Sequence, residues 1–373
     1  MSQVAIINDQ HLFSGIFMHA YKIYKNLREH NVTSNFHQFL ISNDKPADKS
    51  IFMKYGILYN NFSKSKYAYN GKLALNFISG LNWRSFRDIE ADVTVLSGPS
   101  LLPLVKYSRK TIVIGHDLYF LEGKHESIFL KSYMRRMYKK FRNADYVIVD
   151  SEFTRNDFLR KLKLDEQKVH VVYPYIDFKL FHSGVTDIRS SLKVDDKDVL
   201  ILSVGGDGAN KNIESVLKLL TKLPENYKLI RVGRNFNINR MINDLNLQKR
   251  VIALGNVETE ILSELYRGCN FFIFPSLSEG FGIPLIEAMS SGIPIIASNR
   301  TSIPEVVGDS GVVCDPYDIE SMFKAIIEIS SDESLQKYYI NKEKQRVLDF
   351  SKEKQFQSFS KVLKLALEKY GSL

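Results

Sequence analysis

Two glutamates, Glu279 and Glu287, flank a turn and helix start in which two glycines follow an apolar run. Gly280 and Gly282 let the backbone approach a ligand, and the first N–H groups of a helix predicted to start near Pro284 can bind phosphate. The two carboxylates cannot both bind a phosphate. They are better suited to accept hydrogen bonds from hydroxyls, as on a sugar and a ribose. An ordinary strand–loop–helix with solvated glutamates would look the same.

A second glycine-rich turn, Val-Gly-Gly-Asp-Gly at residues 204–208, follows another predicted strand and precedes Lys211. Glycines expose backbone N–H groups, and a lysine supplies a point charge for phosphate. The spacing matches neither the G-x-G-x-x-G fingerprint nor the Walker A pattern. By itself the segment also fits a plain turn between a strand and a helix.

Two further groups lie beside predicted strands. His116 and Asp117 follow the strand predicted at residues 111–114, at the end where parallel sheets carry functional side chains, although a lone histidine is commonly structural. Asp196 and Asp198 have a D-x-D spacing that metal-dependent sugar transferases use. They lie in a run of charges before a strand, which favours a solvated turn, and we expect no metal site there.

Short apolar, β-branched runs alternate twice with longer amphipathic stretches. This alternation predicts an α/β protein with two doubly wound, Rossmann-like domains, each a parallel sheet covered by helices on both faces. Strands are predicted at residues 4–7, 93–96, 111–114, 146–149, 170–172, 199–204, 228–232, 251–254, 270–274 and 293–297. Helices are predicted at residues 15–30, 126–142, 152–162, 213–220, 258–267, 284–290 and 319–329.

The polar, turn-rich stretch at residues 173–198 predicts the boundary between the two domains. We place an N-terminal domain at residues 1–180, a C-terminal domain at 181–350 and a final helix at 351–373. In that helix apolar residues recur at three- and four-residue steps, and Ser351 is a suitable N-cap. Residues 43–82 show weak periodicity and are expected to form an insertion or an irregular surface segment.

The composition is that of a globular protein. Of the 373 residues, 44% are hydrophobic and 25% are charged, which excludes a disordered or collagen-like chain. Cys269 and Cys314 cannot form a disulfide scaffold, so a reduced, cytoplasmic compartment is expected. The N-terminus does not read as a signal peptide, and no apolar run approaches the ~18 residues of a spanning helix. The net charge of +9 leaves nucleic acid, an anionic membrane face or a phosphorylated substrate as partners.

The segment from Glu279 to Glu287 resembles the E-x7-E signature of glycosyltransferase family four, whose members are retaining enzymes with the GT-B fold. The fuller family pattern, E-G-F-G-x-P-x-x-E-A-M-x-x-G-x-P, continues here to Pro294. The resemblance is dense over residues 254–329 and thinner at residues 116–117, 150–154, 199–212 and 350–370. It implies two Rossmann-like domains facing a cleft: an N-terminal one for the acceptor and a C-terminal one for a nucleotide sugar. The C-terminal helix would pack back towards the N-terminal domain.

The resemblance also implies roles for individual residues. Glu279 would hold hydroxyls of the donor sugar, and Glu287 would hold the ribose of the nucleotide. Lys211 would neutralise the leaving diphosphate, and His116 would face the donor sugar near the reacting carbon, so that His116, Lys211 and Glu279 are the catalytic candidates. Further contacts to the donor, largely from the main chain, would come from Gly15, Gly205, Gly280, Phe281, Gly282 and Ile283.

Three stretches depart from the family pattern. Relatives often have an arginine directly after the Val-Gly of the first C-domain strand, where this chain has Gly206, so one of the two usual diphosphate cations is missing. Arg234 and Arg300 are candidates to contribute instead. The first turn has Ser-Gly-Ile at residues 14–16 in place of a Gly-Gly pair, and the linker has Tyr-Ile-Asp at residues 175–177 in place of N-G-V-D.

The function that the resemblance implies is transfer of a mannose- or glucose-like hexose from a nucleotide sugar to a glycan or polyprenyl-linked acceptor. The reaction of retaining relatives is usually described as a same-face displacement, in which the departing phosphate accepts the acceptor's proton. Glu279 is then a positioning group, and Lys211 with a helix N-terminus stabilises the leaving group. We therefore expect no metal and no cofactor other than the donor substrate. One sequence does not name the donor base, the sugar or the acceptor.

Six basic residues and no acidic one lie at residues 131–142, interleaved with aromatic residues. A basic amphipathic helix can lie on an anionic membrane surface. Because many relatives act on lipid-linked acceptors, peripheral association with the inner face of the membrane is one hypothesis. An ordinary helix with a solvated basic face is the alternative. A second basic and aromatic region lies at residues 64–87.

Three other functions compete with this interpretation. A sugar-nucleotide epimerase of the same fold is the nearest rival. A nucleic-acid-binding protein would suit the positive charge, but no recognised nucleic-acid motif is present, and we expect no nucleic-acid partner. A nicotinamide-dependent dehydrogenase would need the G-x-G-x-x-G fingerprint, which this sequence lacks.

Overall fold

The structure, a computed structural model, describes residues 3–8, 15–39, 58–60, 89–107, 110–122, 128–206, 208–234 and 238–368. The chain divides into two compact units. Unit 1 comprises Met1–Tyr173 and Glu353–Leu373, and unit 2 comprises Pro174–Lys352. The division after Tyr173 lies within the stretch in which the sequence places the domain boundary.

Unit 1 is built on a seven-stranded sheet with the order β3-β2-β1-β4-β5-β6-β7, in which every pair is parallel. The order reverses between β1 and β4. The segments that follow these two strands therefore diverge at one edge, which is the switch point where doubly wound sheets bind ligands. The strands are β1 (Val4–Asn8), β2 (Ser34–Phe39), β3 (Leu58–Asn60), β4 (Val93–Leu96), β5 (Thr111–Gly115), β6 (Tyr146–Val149) and β7 (Val169–Val171).

Helices cover the sheet of unit 1 because each has an apolar stripe. In the first helix the residues Phe17, Ala20, Ile23 and Leu27 recur at three- and four-residue steps, and all four are buried. The helices are α1 (Gly15–Glu29), α2 (Tyr119–Glu122), α3 (Ile128–Tyr138) and α4 (Glu152–Leu162), with 3-10 turns at Pro99–Tyr107, Lys139–Asn143 and Glu166–Lys168.

Unit 2 repeats the design with a six-stranded parallel sheet of order β10-β9-β8-β11-β12-β13, whose switch point lies between β8 and β11. The strands are β8 (Val199–Val204), β9 (Tyr227–Val232), β10 (Val251–Gly255), β11 (Phe271–Phe274), β12 (Ile295–Ser298) and β13 (Val312–Cys314). The helices are α5 (Ile188–Leu192), α6 (Ile213–Lys222), α7 (Ile238–Asp244), α8 (Thr259–Gly268), α9 (Ile283–Ser291), α10 (Ile303–Val307), α11 (Ile319–Ser331) and α12 (Glu333–Arg346).

The C-terminal helix α13 (Lys352–Glu368) belongs to unit 1 for nearly all of its length. Its apolar stripe, Phe359, Val362, Leu363 and Ala366, lies in the same core cluster as α1 and the sheet of unit 1. Asn26 of α1 also donates a 3.3 Å hydrogen bond to Gln355 of α13 inside this core. The predicted packing of the C-terminal helix on the N-terminal domain is confirmed.

The sequence patterns do not predict several of the observed elements. Strand β2 reads Ser-Asn-Phe-His-Gln-Phe and is too polar to resemble a buried strand, and α12 has no apolar stripe. Strand β3 lies within residues 43–82, so the prediction of irregular structure is wrong at Leu58–Asn60, and the rest of that stretch lies outside the described residues. Among the described helices none is long and apolar enough to cross a bilayer.

Candidate active site

At the switch point of unit 2, the segments that follow β8 and β11 are hydrogen-bonded to each other. The Leu277 amide donates to the Asn210 carbonyl over 2.7 Å, and the Asn210 side chain donates to the Ser278 carbonyl over 3.2 Å. The side chain of Asn212 reaches the Pro275 carbonyl over 3.3 Å. These bonds hold the two segments side by side, although 60 or more residues separate them along the chain.

This contact brings Lys211 and Glu279 together. Lys211 Nζ lies 2.6 Å from Glu279 Oε1, and the two side chains are 25% and 14% exposed. The backbone of Glu279 is held on both sides, because its amide donates to Thr301 Oγ1 over 3.0 Å and its carbonyl accepts from Ser302 Oγ over 3.0 Å. The lysine thus forms a charge-assisted hydrogen bond that remains accessible to solvent, at the edge of the sheet where ligands commonly bind.

The turn between Glu279 and α9 is shaped by Gly282. Its φ of +101° lies in the left-handed region, and a Cβ there would lie 2.9 Å from Leu285 Cδ1. Pro284 occupies the first turn of α9, and buried Phe281 packs edge-on to Phe350 with ring centroids 5.3 Å apart. The half-buried Gly280 and Ile283 complete a main-chain turn at a helix start, where amides lack intrahelical acceptors and can bind an anion.

Glu287 lies on the next turn of α9 and is half-buried. The hydroxyl of the fully buried Tyr266, on α8, donates to Glu287 Oε2 over 3.0 Å and lies 3.2 Å from the Pro284 carbonyl. Burial and the adjacent Glu287 carboxylate raise the pKa of Tyr266 well above 10.0. Tyr266 therefore stays a neutral donor that orients the carboxylate towards its other partners.

An arginine does reach the loop after β8, although it comes from a neighbouring strand. Arg231 of β9 is 2% exposed, and its Nη2 donates to the carbonyls of Gly205 and Gly206 over 2.7 and 2.6 Å. Of the two arginines that the sequence suggested, Arg234 is exposed, and Arg300 lies 2.8 Å from Asp315. A buried arginine inside an apolar strand gives no sequence pattern that would mark it as part of a site.

The predicted His116 lies at the switch-point edge of unit 1, after β5. Its Nδ1 lies 2.7 Å from Asp150 Oδ2, and its Nε2 lies 3.1 Å from the Ser97 carbonyl. His19 of α1 adds a third contact, with Nδ1 3.1 Å from Asp150 Oδ1. Asp150 and His19 are both buried, and neither was predicted as a site residue, because no local spacing links residues so far apart in sequence.

The contacts of His116 determine its charge. Both ring nitrogens face acceptors, which favours a proton on each nitrogen and hence an imidazolium. Burial by itself would lower the pKa of His116, but the Asp150 carboxylate outweighs it, and the pKa rises above 6.5. Burial would raise the pKa of Asp150, yet the two histidines lower it below 3.8. Unit 1 therefore carries a cation–carboxylate pair in which the carboxylate is buried and the imidazolium is 13% exposed.

The same three side chains bring possible metal-ligand atoms within 4.8 Å of one another. His116 is hydrogen-bonded to Asp150 Oδ2, whereas the His19 contact with Asp150 Oδ1 is an approach at 3.1 Å without hydrogen-bond geometry. Asp198 is also engaged: it is buried, and its Oδ2 lies 2.5 Å from Lys228 Nζ. The prediction of a solvated turn at Asp196 and Asp198 is therefore wrong for Asp198, which forms a structural ion pair.

Two remaining predictions, for Gly15 and for the basic segments, concern residues that the structure describes only in part. Gly15 begins α1, and the residue before it lies outside the described residues. In the basic segment, Arg135, Arg136 and Lys139 are exposed, whereas the aromatic Tyr138 and Phe141 are buried in the core of unit 1. The side chains of residues 129, 131 and 133 and the whole region 64–87 lie outside the described residues.

Comparisons with known proteins give the fold and the family. The Anabaena protein HepE, solved in complex with UDP and glucose, superposes with a TM-score of 0.81 over 98% of this chain and 100% of its own, at 18% identity. This is the GT-B fold of glycosyltransferases. One family model, glycosyl transferases group 1, matches residues 185–346, and another, glycosyltransferase family 4, matches residues 61–180. The chain belongs to glycosyltransferase family 4.

Curated relatives are similar over shorter stretches. O-antigen chain mannosyltransferase B of Escherichia coli is 48% identical over 81 residues, which is 22% of this chain and 21% of the relative. O-antigen chain mannosyltransferase RfbU of Salmonella typhimurium is 26% identical over 232 residues, which is 61% of this chain and 62% of the relative. The chain thus spans from about a fifth to just under two thirds of the length of these relatives.

Proposed function

We propose that the protein transfers a hexose, mannose- or glucose-like, from a nucleotide sugar to a glycan or polyprenyl-linked acceptor, with retention at the anomeric carbon. The observation that carries the proposal is the pairing of Lys211 with Glu279 beside the start of α9, inside the segment that matches the group 1 family. The relatives named as O-antigen chain mannosyltransferases support a glycan acceptor and mannose as the first sugar to test.

In this proposal unit 2 binds the donor. Lys211 and the amides of residues 280–283 meet the diphosphate, Glu279 holds hydroxyls of the sugar, and Glu287 accepts from the ribose. When the anomeric carbon–oxygen bond breaks, negative charge grows on the diphosphate, and Lys211 stabilises it. The acceptor oxygen forms its bond on the same face and gives its proton to the departing phosphate. The role predicted for His116 at the donor sugar would require its Nε2 to exchange the Ser97 carbonyl for a sugar hydroxyl, and neither a metal nor a protein nucleophile takes part.

A thermal-shift panel of UDP, GDP, ADP and their sugars tests donor binding. A ligand that binds only the folded state raises the melting temperature, so the largest shift identifies the donor. Glu287→Ala and Lys211→Ala should then abolish most of the transfer to the acceptor. Unchanged transfer in both variants would refute the site. Products formed without acceptor separate the transferase from an epimerase, which would release an epimerised sugar.

We also propose that unit 1 associates with the inner, anionic face of the membrane through Arg135, Arg136 and Lys139. Because Tyr138 and Phe141, the aromatic side chains of this segment that the structure describes, lie in the core, the proposed attraction is electrostatic, at about 1 kcal/mol for each basic residue near the surface. The protein should float with vesicles containing phosphatidylglycerol at low salt and not at high salt. Replacing the three residues by glutamate should abolish flotation, whereas the control Lys218→Glu, Arg240→Glu, Lys249→Glu in unit 2 should not. Wild-type protein that stays unbound at low salt would refute the membrane proposal.

A further inference from the structure

Arg231 is the one charged residue of β9 that is fully enclosed: its neighbours Leu229, Ile230 and Val232 are buried apolar side chains. A buried guanidinium is destabilising unless its donors are bonded. Arg231 Nη2 donates to two main-chain oxygens of the loop after β8, and Nη1 lies 3.4 Å from Ser203 Oγ on β8 itself. The arginine is thus attached to the loop that carries Lys211.

These bonds determine which way the loop presents its backbone. The carbonyl of Gly205 and the amide of Gly206 belong to one planar trans peptide, so they point in opposite directions. Because the carbonyl points at Arg231, the Gly206 N–H points away from it. The opposite orientation would aim a carbonyl oxygen, instead of an amide, at any anion bound on that side.

Gly233 restricts the same peptide. Its φ is +122°, and a Cβ there would lie 1.8 Å from the Gly205 carbonyl oxygen, so only glycine fits. Lys211 lies on the loop as well, with Cδ 3.5 Å from where a Cβ of Gly205 would be. A Cβ at Gly206, in contrast, would have no heavy atom within 4 Å among the described residues. The loop therefore presents main-chain groups and an open space next to the Lys211 side chain.

We propose that Arg231 is a positioning residue for the diphosphate of the donor. It binds the carbonyls of Gly205 and Gly206 on its own side of the loop, so that the Gly206 amide and Lys211 meet the anion. Its buried charge adds to the positive potential of the loop without touching the ligand. This inference rests on the proposed function, because it assumes that unit 2 binds a nucleoside diphosphate.

Binding of nucleoside diphosphates is compared with that of monophosphates, since only the diphosphates should contact the loop after β8. Affinities of UDP, UMP, GDP and GMP are measured by calorimetry for the wild type, Arg231→Met, Arg231→Lys and Lys211→Met. For the diphosphate that the wild type prefers, we expect Arg231→Met to weaken binding about 10- to 100-fold while the monophosphate changes less than about threefold. Arg231→Lys keeps the charge but not the two-carbonyl contact, so it should lie between.

A rescue separates positioning from a purely structural role. Gly206→Arg places a cation in the open space beside the loop, where Gly206 has no left-handed φ to forbid a side chain. In the Arg231→Met background it should recover diphosphate affinity without recovering the melting temperature. Equal losses for diphosphate and monophosphate, or no rescue, would overturn the inference.

The outcomes also distinguish this inference from the proposed function. If the wild type and Lys211→Met bind as expected and Arg231→Met matches the wild type, only the role of Arg231 is wrong. If the wild type binds none of the four nucleotides, nor ADP, the assignment of the donor site is wrong. The role proposed for Arg231 is then wrong as well.

Discussion

Each unit carries a cation–carboxylate pair at the ligand-binding edge of its sheet, and the two pairs are built differently. In unit 2 Lys211 and Glu279 lie on two loops and remain partly exposed. In unit 1 His116 is bonded through both ring nitrogens, and its partner Asp150 is buried and contacts a second histidine. The first pair can exchange its bonds for those of a ligand, whereas the second is held by the protein.

This difference in exposure predicts whether each pair affects activity or stability. An ion pair that solvent reaches contributes less to the free energy of unfolding than an enclosed one, so under the proposed function we expect Lys211 and Glu279 to matter chiefly for the ligand. The His116 and Asp150 side chains are only 13% and 8% exposed, so removing one partner leaves the other charge poorly solvated, and we expect this pair to stabilise unit 1. Substitutions in the two units should therefore separate activity from stability.

The largest expected effect is on catalysis in unit 2. Lys211→Met should lower kcat/KM by about 100- to 1000-fold, because the cation stabilises the charge that develops on the leaving diphosphate. The melting temperature should change little, since both partners reach solvent. The measurement is steady-state transfer from the donor identified by thermal shift, together with a thermal melt of each variant.

The matched control is Lys222→Met. Lys222 and Glu320 form an exposed pair at 3.1 Å in the same unit, at a helix that carries no predicted site residue. This variant should keep full activity. Equal losses in Lys211→Met and Lys222→Met would show that the comparison between the two units is wrong.

Much of the unit 2 site could be predicted from the sequence, because its parts are local. Two glycines, a proline and two glutamates within one strand–loop–helix segment place the turn and both carboxylates. Arg231 and Tyr266 could not be predicted, since their roles depend on which strand and which helix lie next to them. The His19–Asp150 contact is harder still, because it joins α1 to the end of β6 and exists only once the sheet of unit 1 has formed.

The next effect is on stability in unit 1. Asp150→Asn should lower the free energy of unfolding by about 2 kcal/mol near pH 6, because it removes a charged acceptor from a buried imidazolium. Asp145→Asn is the control: Asp145 also bonds across strands, accepting from the neutral amide and hydroxyl of Thr111 over 2.9 and 3.3 Å. Chemical denaturation of both variants measures the loss, and a loss in Asp145→Asn that equals that in Asp150→Asn would refute the pairing argument.

The stability loss in Asp150→Asn should also depend on pH. The pKa of His116 is raised above 6.5 in the folded state, so its contribution to stability is complete below pH 6.5 and is lost as the pH rises through the folded-state pKa. The pKa of Asp150 is lowered from 3.8, so its contribution is complete above pH 3.8 and is lost only as the pH falls through its folded-state pKa. The stability difference between wild type and Asp150→Asn should be largest between pH 3.8 and 6.5 and shrink above that range. Chemical denaturation across this range measures it, and a difference that stays constant, as we expect for Asp145→Asn, would contradict the charged pair.

The smallest effect is expected at His19, whose Nδ1 lies 3.1 Å from Asp150 Oδ1. His19→Gln keeps a side-chain donor and should cost about 1 kcal/mol of stability. It should leave the pKa of His116 close to its wild-type value, whereas Asp150→Asn should lower that pKa, because the carboxylate that raises it is lost only in the second variant. NMR titration of the His116 ring measures both shifts, with His30→Gln, directly after α1, as the control. A larger shift from His19→Gln than from Asp150→Asn would mean that His19, and not the carboxylate, sets the charge of His116.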